Sequence, residues 1–146
     1  MAVTVRMDAR SISRAATQVR RASPIAWKAC RVALLEVGNS VAADIKQAAS
    51  FSDRIPDSVK VRVTGGGNIK IIVGGDEAPD AVPIENAGKG FVRHPEFGHR
   101  NRWTAKNSRP AYILPAYARR QEWALERMER AYWDAYVAAF ESRGIV

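Results

Sequence analysis

A chain of 146 residues, 47% hydrophobic and 26% charged, has the size and composition of one ordinary globular domain, which excludes a chain disordered throughout. Its formal net charge of +8 favours acidic partners, either nucleic acid or an acidic protein surface. The single cysteine, Cys30, excludes an intrachain disulfide framework and fits a reducing compartment, and no apolar run reaches membrane-spanning length.

The charge is unevenly spread. Residues 1–23 carry five arginines against Asp8, residues 76–87 carry four acids and no base, and residues 88–110 carry six bases against Glu96. An acidic stretch beside a basic one suits head-to-tail contact between copies of one chain.

The first 23 residues lack the apolar stretch of a secretory signal and read as a basic N-terminal helix. Ile12, Ala15, Ala16 and Val19 recur at helical spacing over residues 9–22. Ser23 is a good N-cap, and Pro24 suits the first position of a second helix over residues 24–49. Cys30, Leu34, Val37, Val41, Ile45 and Ala48 form its apolar stripe, while Lys28, Arg31, Glu36, Asp44 and Lys46 mostly fall off it.

Residues 50–57 read as a loop. Val59, Val61 and Val63 then alternate with polar residues, glycines 65–67 supply a turn, and Ile69, Ile71 and Val73 alternate again. This is a β-hairpin with one apolar face. It needs further strands, for which residues 81–85 and 111–114 are the candidates. Residues 76–110 read as a long loop region, rich in Gly, Pro, Asn and charge. Pro115 opens a last helix that runs to about residue 142 with two apolar stripes. Leu125, Met128, Tyr132, Ala135 and Ala139 form one; Trp133, Tyr136, Val137 and Phe140 lie round its side. The second is more apolar surface than a small domain covers by itself, which points to a partner. The expected fold is α+β in a single domain over residues 1–146. Long N-terminal helices and a C-terminal helix pack on a small, mostly antiparallel sheet built on the hairpin.

Candidate chemistry is sparse. The triple glycine is followed by a strand, not by the helix N-terminus that a phosphate loop requires. His94, Glu96 and His99 could contribute to a zinc or acid–base site, but they sit at loop spacing with no further ligand evident. Cys30 lies on an apolar stripe, where a thiol behaves as a small hydrophobe. No catalytic residue, cofactor or metal is expected. The stretch 93–109 interleaves Arg93, Arg100, Arg102, Lys106 and Arg109 with Phe97 and Trp103. It suits three readings: a single-stranded nucleic-acid site, a solvated loop anchored by its aromatics, or a contact between subunits.

Several short motifs occur in a suggestive order. They are the helix VALLEVGNSVAADIKQAA, the hairpin VKVRVTGGGNIKIIVGG, then Glu85-Asn86, His94-Pro95-Glu96-Phe97-Gly98, Trp103, and Arg109-Pro110 through Pro115-Ala116. In that order the chain resembles the tail-component (tail-completion, head-to-tail connector) family of lambda-like and HK97-like siphophages, over roughly residues 24–142. It departs from the family in lacking the Thr-Gly of the segment after the first long helix, and in having Ala111-Tyr112 where a Phe usually follows Arg-Pro. The resemblance implies a non-enzymatic virion protein of the neck, assembled in the host cytoplasm into a homo-oligomeric, hexameric ring around the DNA channel. Its partners would be other neck proteins: the head-side connector or stopper, and the tail terminator or tail tube. DNA would pass through without sequence-specific binding, and no membrane is involved. The residues expected at interfaces are Glu85, Arg93, Arg100, Arg102, Trp103, Trp133, Tyr136 and Phe140. The alternative function is a basic nucleic-acid-binding module.

Overall fold

The computed structural model describes residues 2–7, 10–86, 91–96, 99–107 and 111–141; for 10–13, 15, 83, 86, 91–96 and 99–107 it describes the backbone alone. The fold is α+β, as the alternation of helical and strand periodicities predicts.

Helix α1 (Arg10–Ala22) gives way to α2 (Pro24–Ala48) at Ser23. Ser23 leaves the helical region (φ −151°, ψ 103°), and its hydroxyl accepts from the Ala26 amide at 3.1 Å, while Pro24 has no amide hydrogen to strand. Most of the α2 stripe is buried as its spacing predicts: Cys30, Leu34, Val37, Val41 and Ile45 are within the core, and Ala48 at its end is partly covered.

Three strands form an antiparallel sheet in the order β1 (Ala2–Met7), β3 (Ile69–Gly74), β2 (Lys60–Val63). The hairpin of β2 and β3 is the predicted one. Its turn is closed by Thr64 and Asn68 backbone bonding at 2.8 Å, with Gly67 at φ +81°. The third strand is not where the sequence reading put it. Residues 81–85 lie in a short helix, α4 (Ala81–Asn86), and residues 111–114 lead into the last helix, α5 (Ile113–Glu141). The strand that completes the sheet is β1, inside the stretch assigned to a basic helix. Val5 and Met7 alternate inward there and pair opposite Ile71 and Ile69. A period of two over six residues outweighs the arginines that follow it.

The described residues between 76 and 110 likewise hold more regular structure than their composition suggests. Besides α4 it contains a second antiparallel pair, β4 (Phe91–Glu96) with β5 (His99–Asn107), irregular at Pro95/Glu96. A further turn of helix, α3 (Arg54–Asp57), lies in the predicted 50–57 loop. The buried Ser58 hydroxyl ties it to the sheet, donating to the Ile55 carbonyl at 2.6 Å and accepting from the Gly74 amide at 2.9 Å.

Helix α2 is the spine. One flank lies on the sheet at Gly38, where a Cβ would come within 2.5 Å of Val61 Cγ1 and 2.9 Å of Ile69 Cγ2. The other receives α5, with Asp44 accepting from Arg120 Nε at 2.6 Å. The hairpin turn closes against α5, where the Tyr132 hydroxyl donates to the Gly67 carbonyl.

Candidate assembly surface

The surface is set by how α5 is held. The Glu85 carboxylate, only 6% exposed, accepts from the amides of Tyr112 (2.7 Å), Ile113 (2.8 Å) and Leu114 (3.0 Å). Pro115 has no amide hydrogen, and Ala116 begins the helical bonding by donating to the Tyr112 carbonyl at 3.3 Å. Every first-turn donor of α5 is thus accounted for, and a negative charge sits at the positive end of its dipole. Glu85, expected at an interface, is placed inside the protomer as the clamp that aims α5. Tyr112 seals the clamp. Its ring meets Phe51 edge-on at 5.3 Å, and its hydroxyl donates to the Ala81 carbonyl at 3.2 Å. Burial, then the charges of Glu85 and Asp80, push its ionisation well above the ordinary phenol value.

So aimed, α5 buries Ala124, Met128, Ala131, Tyr132, Ala135 and Ala139 against the chain. Leu125, expected on this stripe, is only partly covered. The side stripe singled out from sequence is an aromatic ladder. Trp133 stacks on Tyr136 at 6.1 Å between centroids, and Tyr136 leans on Phe140 at 4.4 Å. Trp133 is 66% exposed, while Tyr136 and Phe140 rest partly on the core. Toward the N-terminus the same row continues through the exposed Glu122, Glu126 and Glu129, in steps of three and four residues. A large exposed indole backed by two more rings is the composition of an interface anchor.

A second apolar surface was missed at the sequence level. Trp27, Val32 and Leu35 of α2 and Val61 and Val63 of β2 line a groove of about 460 Å³ whose rim is Lys28, Arg31 and Arg62. Val32 and Leu35 are 55% and 41% exposed, and Ile25, one turn before the groove, is 84% exposed. The signal was legible: Ile25, Val32 and Leu35 form a second apolar row on α2, off the core stripe.

Arg93, Arg100, Arg102 and Trp103 all fall on the β4–β5 ribbon rather than in an irregular loop. The register sets Arg93 opposite Ala105 and Pro95 opposite Trp103. Positions 102, 104 and 106 of β5 alternate with 103 and 105 across the ribbon, so the Arg102 and Lys106 positions share a face that the Trp103 position does not. His94 pairs with Thr104, and Glu96 with His99. Phe97 and Arg109 lie outside the described residues. Among the described residues no cluster of three metal-ligating side chains occurs. Cys30 is buried, and its thiol is pushed up to about 11 by desolvation, which makes it a poor nucleophile.

Comparisons of the chain with protein families, with curated proteins and with solved structures find no match. The surfaces therefore stand on their own geometry. Among the described residues no helix is long and apolar enough to cross a membrane.

Proposed function

We propose that this chain is a structural subunit of the head-to-tail interface of a long-tailed phage, a neck protein that assembles into a ring through which DNA passes. The observation that carries the reading is the exposed ladder of Trp133, Tyr136 and Phe140 on a helix whose opposite face is fully used by the chain's own core. An indole left 66% exposed costs solubility unless a partner covers it. The ordered motifs from residue 24 to residue 142 supply the identity of the assembly, and the basic ribbon suits a wall facing DNA. The partners are further copies of the chain and the adjoining neck layers. The test is to locate the protein in purified particles by mass spectrometry and by density at the neck. Its presence there at ring stoichiometry supports the reading, and its absence from particles defeats it.

A second reading, a nucleic-acid-binding module, is favoured by one specific observation. Residues 91–96 and 99–107 form a two-stranded ribbon bearing Arg93, Arg100, Arg102 and Lys106, and such ribbons fit the DNA major groove. It predicts salt-dependent oligonucleotide binding that weakens on Arg102→Ala. No binding at low salt removes it.

A further inference from the structure

Two unpartnered apolar surfaces among the described residues have opposite charge. The α2–β2 groove is rimmed by Lys28, Arg31 and Arg62 and no acid lines it among the described residues, whereas the outward row of α5 runs Glu122, Glu126, Glu129, Trp133, Tyr136, Phe140. We propose that the outward row of α5 on one copy docks into the α2–β2 groove of the next, with Trp133 entering between Val32, Leu35 and Val61 and with Glu126 and Glu129 meeting the basic rim. The inference rests on the ring reading only in taking another copy as the occupant.

Four observations favour this occupant. The charges are complementary, so each copy brings the opposite of what it meets. The acid-and-aromatic row recurs every three or four residues over about 27 Å of helix, a continuous strip suited to a groove. The groove borders an outer strand of only four residues that carries the exposed Lys60 and Arg62, a combination that discourages strand addition and leaves a helix as the element that fits. The two surfaces also lie on different flanks. A separate groove, lined by Ala33, Ser40, Trp123 and Asp134, separates α5 from that side of α2, while Arg31 and Leu35 turn toward β2. A copy can therefore use both surfaces at once. Such a contact is heterologous and propagates until it closes. Arg130 does not oppose the arrangement, because it lines the groove between α2 and α5.

The experiment mixes two crippled copies. Val32→Glu with Leu35→Glu blocks the groove, and Glu129→Lys with Trp133→Ala blanks the row; all four positions are exposed, and a melting curve verifies each fold. In sedimentation from micromolar to submillimolar concentration, wild type self-associates. Each variant alone associates at least about thirtyfold more weakly, the effect of losing an interface anchor. An equal mixture forms a one-to-one pair and nothing larger, because each partner keeps one working surface. A wild type that stays monomeric, a variant that associates like wild type, or a mixture without pairs overturns the proposal. Should a groove variant fail to fold, Lys28→Glu with Arg62→Glu weakens association through charge alone, and adding Glu126→Lys with Glu129→Lys restores it; no restoration overturns it equally. These readouts concern purified protein, so a chain absent from phage particles would defeat the neck reading and leave them unchanged.

Discussion

The carboxylate of Glu85 lies 2.8 Å from the amide nitrogen of Ile113 and caps the last helix from a different part of the chain. With Tyr112 and Leu114 it satisfies three buried or part-buried donors. Removing it leaves all three without an acceptor and takes a charge from the helix N-terminus. Glu85→Ala is expected to cost about 3 kcal/mol, and Glu85→Gln about 2 kcal/mol, since the amide keeps one acceptor but turns a donor toward donors. Urea denaturation at unchanged slope measures both. Equal, negligible losses would mean that the clamp does not hold α5.

Gly38 is where α2 comes closest to the sheet. A methyl group there would lie 2.5 Å from Val61 Cγ1. The helix interior prefers alanine, by about 1 kcal/mol. The clash outweighs that preference, so Gly38→Ala should lower stability by about 1–2 kcal/mol, and Gly38→Val by more. A stabilised alanine variant would show that α2 can lift from β2 freely.

Much of this was readable in the sequence, and the failures have physical causes. The α2 stripe and its Ser23–Pro24 start were visible because period and capping agree over many residues. The hairpin was visible because alternation flanks a glycine turn. Strand β1 was hidden because Val3, Val5 and Met7 give only three apolar beats before a run of arginines. Residues 81–85 read as a candidate strand because a helix of six residues has too few turns to show a period; the helix is fixed instead by tertiary bonding, Tyr112 to Ala81 and Glu85 to α5. The β4–β5 ribbon was hidden by Pro95, by its charges and by the glycines at 88, 90 and 98 in the surrounding sequence. On the surface, the aromatic surplus of α5 was legible as excess. The role of Glu85 was not, since its partners lie 27 to 29 residues away.

Alkaline stability follows from three buried groups held neutral. Desolvation raises the Cys30 thiol from 9.0 to about 11, and raises Tyr112 and Tyr132 well above the ordinary 10, the latter further through Cys30. For each, the unfolded chain ionises first. Their contribution is therefore complete below about pH 9, and it falls as pH rises through the unfolded values toward the folded ones. Cys30 accounts for about 1.4 kcal/mol of loss between about pH 8 and about pH 10, and about 3 kcal/mol in full, with the tyrosines adding above that. Urea midpoints at the two pH values should show the fall, and Cys30→Ala should flatten its lower part. A wild-type midpoint constant to pH 10 would contradict the burial of these groups.

Trp133 and Phe140 belong to one ladder but stand differently toward the core, and this separates assembly from folding. Trp133 is 66% exposed, whereas Phe140 packs partly against the core beside Tyr136. Trp133→Ala should change stability by less than about 1 kcal/mol, because little of its surface leaves water on folding. Phe140→Ala should cost about 1–2 kcal/mol, short of the full value for a buried ring. If the ladder is a contact surface, both should reduce self-association, Trp133→Ala more strongly, because only a partner desolvates its indole. Melting temperature and sedimentation on the same samples read the two effects apart. A Trp133→Ala protein that melts as low as the Phe140→Ala protein yet associates normally would place the indole in the core of the fold rather than on an interface.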